Sequence, residues 1–265
     1  MDESEQMELI HHIFDPGMPR LGPGDAASTR RALDAVLAAR GCDSEAGWSN
    51  VLDLGCGNGA STTELAKSID ATILALDNYK PYLDELERRS AAIGLQGKIR
   101  TCLGDMRELD FGERYFDLVW SEGAIFVIGF REGLETCYRL LVPGGFLAVT
   151  ELCWFRNDAP EECISYFGDL YPPMTTDEKN IACIKDLGYL LHNHFRLPEQ
   201  VWWHSYYIPL ERRLGVLRVE DAGDPEKLEF IESVQQEIDI YRKYSKFYGY
   251  AFYVMQRPRG AGFES

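Results

Sequence analysis

Two rhythms alternate along the first 150 residues. Short apolar runs at 51–54, 72–76, 98–103, 116–120 and 146–150 predict buried strands. Between them, helical spacing predicts helices over 59–68, 80–93 and 131–140. In the second of these, Leu83, Leu86 and Ile93 fall on or near one face. The third ends before Pro143-Gly144-Gly145, residues that stop a helix. Strands alternating with helices of this length predict a doubly wound, parallel α/β sheet. Such a sheet places ligands beyond the C-terminal ends of its strands.

The flanks read differently. Residues 1–49 form a lead-in, with turns at Asp15-Pro16-Gly17 and Gly22-Pro23-Gly24-Asp25 before a helix over 28–39. After Glu151 the alternation breaks, and Pro, acids and aromatics mix with helical stretches to residue 190. A strand is predicted at 191–197, a long charged amphipathic helix at 225–244 and a closing strand at 250–255. No internal repeat interrupts this order. The expected organisation is an N-terminal helical lid over 1–49 and a main domain over 50–265. Insertions at about 153–190 and 199–247 are expected to cap the ligand edge.

Composition narrows the partners. With 265 residues, 45% of them hydrophobic, the chain can bury a sizeable core. Its formal net charge of -16 disfavours nucleic acid and anionic membrane surfaces, which are bound through Lys and Arg. A cationic or neutral small molecule fits better. The seven cysteines are odd in number and scattered, with no C-x-x-C pair, as in a reduced protein. The N-terminus leads into no signal-like apolar core, and no run approaches the roughly 20 apolar residues of a spanning helix. A cytoplasmic location is expected.

The chemistry centres on Val51-Leu52-Asp53-Leu54-Gly55-Cys56-Gly57-Asn58-Gly59, a strand entering a glycine-rich turn and then a helix. Glycines permit the sharp turn and let the backbone approach a ligand closely. Gly55-x-Gly57-x-x-Ala60 also satisfies a loose dinucleotide fingerprint, so a nicotinamide-dependent reductase is a rival reading. Asp53, two residues before the first glycine, is expected to face the ligand. A carboxylate there repels a pyrophosphate and attracts the ammonium or sulfonium of S-adenosylmethionine. Asp77 and Asn78 end the second strand about 20 residues beyond the turn, where an acid accepts two ribose hydroxyls. Gly104, Asp105 and Met106 end the third, where the carboxylate takes an adenine amino group and Met106 covers the ring. Ser121, Glu122 and Gly123 end the fourth, facing the methyl donor.

These residues resemble the class I S-adenosylmethionine-dependent methyltransferases over roughly residues 48–150. Residues 51–59 match the family's first motif, Asp77 its second-strand acid, Gly104-Asp105 its third-strand acid and Pro143-Gly144-Gly145 its post-helix motif. Within the class, the chain is similar to small-molecule methyltransferases of the ubiquinone and menaquinone biosynthesis type. It is also similar to uncharacterised bacterial and archaeal members with Ser121 to Ile125, Gly129 to Gly133 and Glu151 to Phe155 at matching places. The resemblance implies a seven-stranded Rossmann-like sheet with an antiparallel last strand and helical cap insertions. It also implies S-adenosyl-L-methionine as cofactor, S-adenosyl-L-homocysteine as product, and Pro23 and Gly24 near that cofactor. The Asn/Asp-Pro-Pro-Tyr/Phe motif of amino-methylating nucleic-acid enzymes is replaced by Ser121-Glu122-Gly123-Ala124.

Methyl transfer is an in-line displacement, so the enzyme's tasks are alignment, water exclusion and, where needed, a base. Glu122 is the candidate base or substrate orienter. Of the aromatics Trp154, Phe155, Tyr166, Phe167, Tyr171, Trp202, Trp203, Tyr206 and Tyr207, several are expected to line a pocket for a flat or cationic substrate, with Trp154, Tyr171 and Trp203 as candidate substrate-binding residues. Tyr241, Tyr244 and Tyr248 fall at i, i+3 and i+7 and read as a buried helix face. His192 and His194 fall on one strand face but lack a third ligand, so no metal is expected. His11 and His12 read as a surface pair, and the acids between Glu226 and Glu237 as a solvated face. Cys153, Cys163 and Cys183 read as small apolar side chains or as a thiophilic site in the cap. A scaffold protein that binds a nucleoside without turnover is the non-enzyme alternative.

Overall fold

The computed structural model describes residues 2–41 and 47–260, so Cys42 lies outside the described residues. Helices α1 (Glu3–Ile13) and α2 (Ala26–Arg40) precede β1 (Val51–Leu54). Then α3 (Ala60–Ser68), β2 (Ile73–Asp77), α4 (Lys80–Ala92), β3 (Ile99–Leu103) and β4 (Phe116–Ser121) follow in alternation. Next come α5 (Phe130–Leu140), β5 (Leu141–Trp154), α6 (Glu161–Leu170), the two-residue β6 (Thr175–Thr176) and α7 (Asp177–Asp186). The chain closes with β7 (Leu190–Arg196), α8 (Glu199–Trp202), α9 (Ile208–Glu220), α10 (Pro225–Tyr244) and β8 (Tyr248–Gln256). A π-helical turn at Trp203–Tyr207 joins α8 to α9.

The strands form one sheet of order β3-β2-β1-β4-β5-β8-β7, with β6 paired to the end of β5. The first five of that order are mutually parallel, and β8 runs antiparallel between β5 and β7. This is the expected seven-stranded Rossmann-like sheet with its last strand antiparallel, lengthened by β6.

Alternation along each strand divides the core between two faces. On one face, Val51, Ile73 and Trp120 pack with Ala32, Leu65 and Leu86 of α2, α3 and α4. On the other, Leu52, Val119 and Leu147 pack with Leu134 of α5 and Ile184 of α7. Helix α7 therefore belongs to the layer that covers the sheet. Only the part of the expected 153–190 insertion before it reaches the ligand edge. Local chemistry sets the helix starts: the side chains of Asp25, Thr176 and Asp224 accept the backbone N–H three residues on. Pro225 takes the first turn of α10, where its missing N–H costs nothing.

Candidate functional site

A cavity of about 580 Å³ opens at the C-terminal ends of β1 to β4. It runs from the glycine turn, beneath α1 and the 20–23 turn, to an aromatic arm under α6, the π turn and α10.

The floor is the glycine turn. The N–H groups of Gly55 and Cys56 donate to the Leu76 carbonyl at 2.9 and 3.0 Å, which folds the turn back over β2. Gly55 has φ +73°, and a Cβ there would stand 2.4 Å from that of Ala124, filling the cradle. Gly59 has φ +79°, and its Cβ would lie 2.1 Å from Leu86 Cδ1, so only glycine lets α3 start against α4. The Cys56 thiol lines the cavity, but burial pushes its pKa up, so it is a small apolar wall group and not a nucleophile.

Asp77 binds turn and strand together. Its Oδ2 accepts the Gly57 N–H at 2.8 Å and its Oδ1 the Tyr79 N–H at 3.0 Å. Burial raises its pKa, against these backbone hydrogen bonds. Asn78, Gly104, Asp105 and Met106 complete this end, as the sequence leads one to expect. Asp105 sits at the rim, its Oδ1 accepting the Arg107 N–H at 2.8 Å.

The roof comes from the lead-in. Asn58 Nδ2 donates to the carbonyls of Pro16 and Met18 at 3.0 and 2.7 Å, and Arg89 Nη2 reaches the same two oxygens. Asn58 thus anchors the roof besides lining the cavity. Tyr82 donates its hydroxyl to the Phe14 carbonyl at 2.8 Å. His11 is half-buried and not a free surface residue: it lines the cavity and stacks on Tyr79 at 3.5 Å, and burial lowers its pKa while Asp77 opposes the shift. Pro23 lines the cavity; Gly24 lies behind it, where an added Cβ would meet Arg20 Nη1 at 2.6 Å.

Gly59, expected at the cofactor, does not line the cavity because it is spent on the α3–α4 packing, and four further expected site residues take structural posts. Asp53 is fully buried with its carboxylate turned to α3, where Oδ2 accepts the hydroxyls of Thr62 at 2.6 Å and Ser61 at 3.1 Å. In a four-residue strand buried on both faces, alternation sends Asp53 to the helix side, away from the ligand. Burial pushes its pKa up to about 7. Ser121 is likewise buried and donates to the Leu54 carbonyl at 2.9 Å. Trp154 packs between Phe167 and Tyr248 at 5.7 and 6.1 Å, and Trp203 packs on Tyr241 at 6.0 Å; neither lines the cavity.

Glu122 does line the cavity, but it is held fast. Its Oε2 pairs with Arg20 Nη1 at 2.8 Å, and the two side chains are 6% and 10% exposed. Its Oε1 accepts the Thr29 hydroxyl at 2.7 Å and the Trp120 indole N–H at 2.9 Å. Arg20 Nη2 also donates to Thr29 at 3.1 Å. A carboxylate occupied by three donors is poorly placed as a proton acceptor. It clamps the roof turn to β4 and α2.

The aromatic arm brings together several of the expected pocket aromatics and three residues, Tyr248, Tyr250 and Glu237, that the sequence did not point to. Tyr171 lines it as expected and donates its hydroxyl to Glu151 Oε1 at 2.6 Å. Trp202, Tyr206 and Tyr207 enter from the π turn region, and Tyr248 and Tyr250 from β8. Tyr248 is therefore no part of the helix face assigned to it, because α10 ends at Tyr244. Glu237, read as solvated, faces the cavity from α10. The expected His192 and His194 pairing is undone by a β-bulge between Leu191 and Asn193. His192 meets Phe146 of one core and His194 stacks on Tyr253 of the other. Cys153, Cys163 and Cys183 do not line the cavity, and Cys153 and Cys163 are fully buried. Among the described residues no helix is long and apolar enough to cross a membrane.

Residues 51–145 match the family model described as a methyltransferase domain. The sterol 24-C-methyltransferase erg-4 of Neurospora crassa is 30% identical over 176 residues, covering 63% of this chain and 46% of the relative. The chain spans about half the length of the curated relatives it matches. A methyltransferase of Thiobacillus denitrificans, solved with S-adenosyl-L-homocysteine, superposes with TM-score 0.72 at 19% identity. That match covers 96% of this chain and 99% of the other. The cyclase SpnF superposes with TM-score 0.71 at 18% identity over 97% of this chain and 96% of its own.

Proposed function

We propose that this chain, whose residues 51–145 match a methyltransferase domain, is a class I methyltransferase that transfers a methyl group from S-adenosyl-L-methionine to a small-molecule acceptor. The observation that carries this reading is one continuous cavity. It joins a glycine cradle, with acids at the ends of β2 and β3, to an aromatic arm of different chemistry.

The residues fit the cofactor. The turn at Gly55 to Gly57 leaves room that any Cβ at 55 would fill. Asp77, fixed by two backbone N–H groups, would accept ribose hydroxyls, and Asp105 and Met106 would hold an adenine ring. When bound, S-adenosylmethionine supplies an activated methyl carbon, and the acceptor displaces S-adenosylhomocysteine in line. The protein's part is alignment and exclusion of water. The Arg20–Glu122 clamp fixes the roof over the cavity, and the packed aromatics of the inner arm keep it dry. Glu122 acts as a positioning residue in this scheme. Residues 10–23 serve as roof and residues 199–247 as cap. The acidic charge supports a small-molecule over a nucleic-acid partner, and the scattered cysteines support a cytoplasmic setting.

Fold alone does not fix the reaction, since a cyclase shares it. The test is turnover. The protein incubated with S-adenosylmethionine and pooled metabolites is expected to release S-adenosylhomocysteine above the acceptor-free background. Tight cofactor binding without turnover on any pool would support the scaffold alternative. Binding of NAD(P)H in place of S-adenosylhomocysteine would support a reductase.

A further inference from the structure

The inner arm has a charge balance that methyl transfer by itself does not require. Glu237 faces the cavity, and its Oε1 accepts the Tyr207 hydroxyl at 2.9 Å. Among the described residues no Lys or Arg pairs with it, and the cations of the cavity wall are spoken for. Arg20 is bound to Glu122, and the His11 ring is stacked on Tyr79. Burial also raises the Glu237 pKa, which marks a carboxylate short of positive charge.

The walls around it are aromatic: Phe167, Trp202, Tyr206, Tyr207, Tyr248 and Tyr250 line this part of the cavity. Trp202 is stacked between Tyr241 at 4.3 Å and Tyr250 at 5.3 Å, and Phe167 meets Tyr248 edge-on at 4.5 Å. Two polar atoms on these walls, Trp202 Nε1 and the Tyr248 hydroxyl, are buried without a hydrogen-bond partner. The indole N–H can only donate, so it calls for an oxygen and not for a cation; the charge preference of the arm rests on Glu237. Aromatic faces with one carboxylate make a receptor for a cation: the rings attract it through their negative faces and the carboxylate neutralises it. The same surroundings repel a phosphate or carboxylate.

We propose that the aromatic arm binds its acceptor through a positively charged nitrogen, an amine or quaternary ammonium group, with Glu237 as counter-charge. This rests on the methyltransferase reading for the fate of the bound molecule, but the binding itself does not depend on it. Glu237 becomes the residue that selects cationic over neutral acceptors of equal shape. The Tyr207 hydroxyl orients its carboxylate.

The test compares choline with its neutral carbon isostere, 3,3-dimethylbutan-1-ol, by calorimetric titration with and without saturating S-adenosylhomocysteine. Choline is expected to bind about tenfold tighter or better, the gain of a desolvated cation–π and ion-pair site. Glu237→Gln is expected to erase that preference while binding of S-adenosylhomocysteine stays unchanged. Equal affinity for the two probes, or no binding of either while S-adenosylhomocysteine binds, overturns the inference and leaves the methyltransferase reading intact. A choline preference in a protein that does not bind S-adenosylhomocysteine overturns the methyltransferase reading and leaves the cation site. The probe comparison needs no variant, so misfolding of Glu237→Gln does not remove the test.

Discussion

Replacing Glu122 by Gln separates a clamp from a base. The carboxylate is 6% exposed, pairs with an equally buried Arg20 and accepts from Thr29 and Trp120. Glutamine keeps one oxygen for Thr29 and Trp120 but turns an N–H₂ toward the Arg20 guanidinium. Donor then faces donor, and a buried positive charge loses its partner. Breaking a buried ion pair on one side costs about 3–5 kcal/mol. Residual acceptance by the amide oxygen favours the lower end, about 3 kcal/mol. For a chain of 265 residues that loss corresponds to a melting temperature lower by about 5 °C. Because Arg20 carries the roof turn that ends at Pro23, S-adenosylhomocysteine affinity is expected to fall with it. Differential scanning calorimetry and titration on the same preparations give both readouts. The double variant Arg20→Met, Glu122→Gln is expected to recover part of the stability, since no unpaired charge remains. Stability and affinity unchanged, with turnover abolished, would refute the clamp and restore Glu122 as the base.

Three further outcomes follow from other parts of the structure. Glu151 is buried, its Oε2 has no partner, and burial raises its pKa from 4.5 to about 8. A folded pKa above the unfolded one means that stability is full below pH 4.5 and is lost as pH rises toward 8. Asp53, raised to about 7, acts in the same direction. Glu151→Gln is therefore expected to flatten the decline in urea-unfolding free energy between pH 5 and pH 8.5; an unaltered slope would show that Glu151 folds ionised. Gly59→Ala places a Cβ 2.1 Å from Leu86 Cδ1 at φ +79°. Left-handed strain and overpacking together cost about 2–4 kcal/mol, and a loss under about 0.5 kcal/mol would contradict the packing described. Tyr171→Phe removes the donor to Glu151 Oε1 and leaves the carboxyl without any partner, at a cost of about 1–3 kcal/mol at pH 5. Chemical unfolding at that pH checks it.

Much of the sheet was legible because its signal is local. Apolar runs of four to six residues between helical patterns specify buried parallel strands, and the run at 250–255 marks the middle of β8, whose ends at Tyr248 and Gln256 lie beyond it. The glycine turn, Asp77, Gly104, Asp105 and Met106 were legible because strand ends and ligands coincide in such sheets. Asp53 was misplaced because strand alternation, and not nearness to the turn, decides which face a side chain takes. Glu237 was hidden in a charged helix, where one inward carboxylate looks like its solvated neighbours; only tertiary packing singles it out. The π turn at 203–207 left no sequence mark, yet it helps turn Tyr206 and Tyr207 inward. His192 and His194 were misjudged because a one-residue bulge reverses strand alternation.

The most direct measurement is calorimetric titration of the protein and of Asp77→Ala with S-adenosyl-L-homocysteine, each variant's fold checked by thermal unfolding. The expected result is one-to-one binding in the micromolar range, weakened about tenfold or more in a variant that still unfolds cooperatively, as loss of two charge-assisted hydrogen bonds requires. Binding of NAD(H) with no response to S-adenosylhomocysteine, or S-adenosylhomocysteine affinity indifferent to Asp77, would contradict the site described.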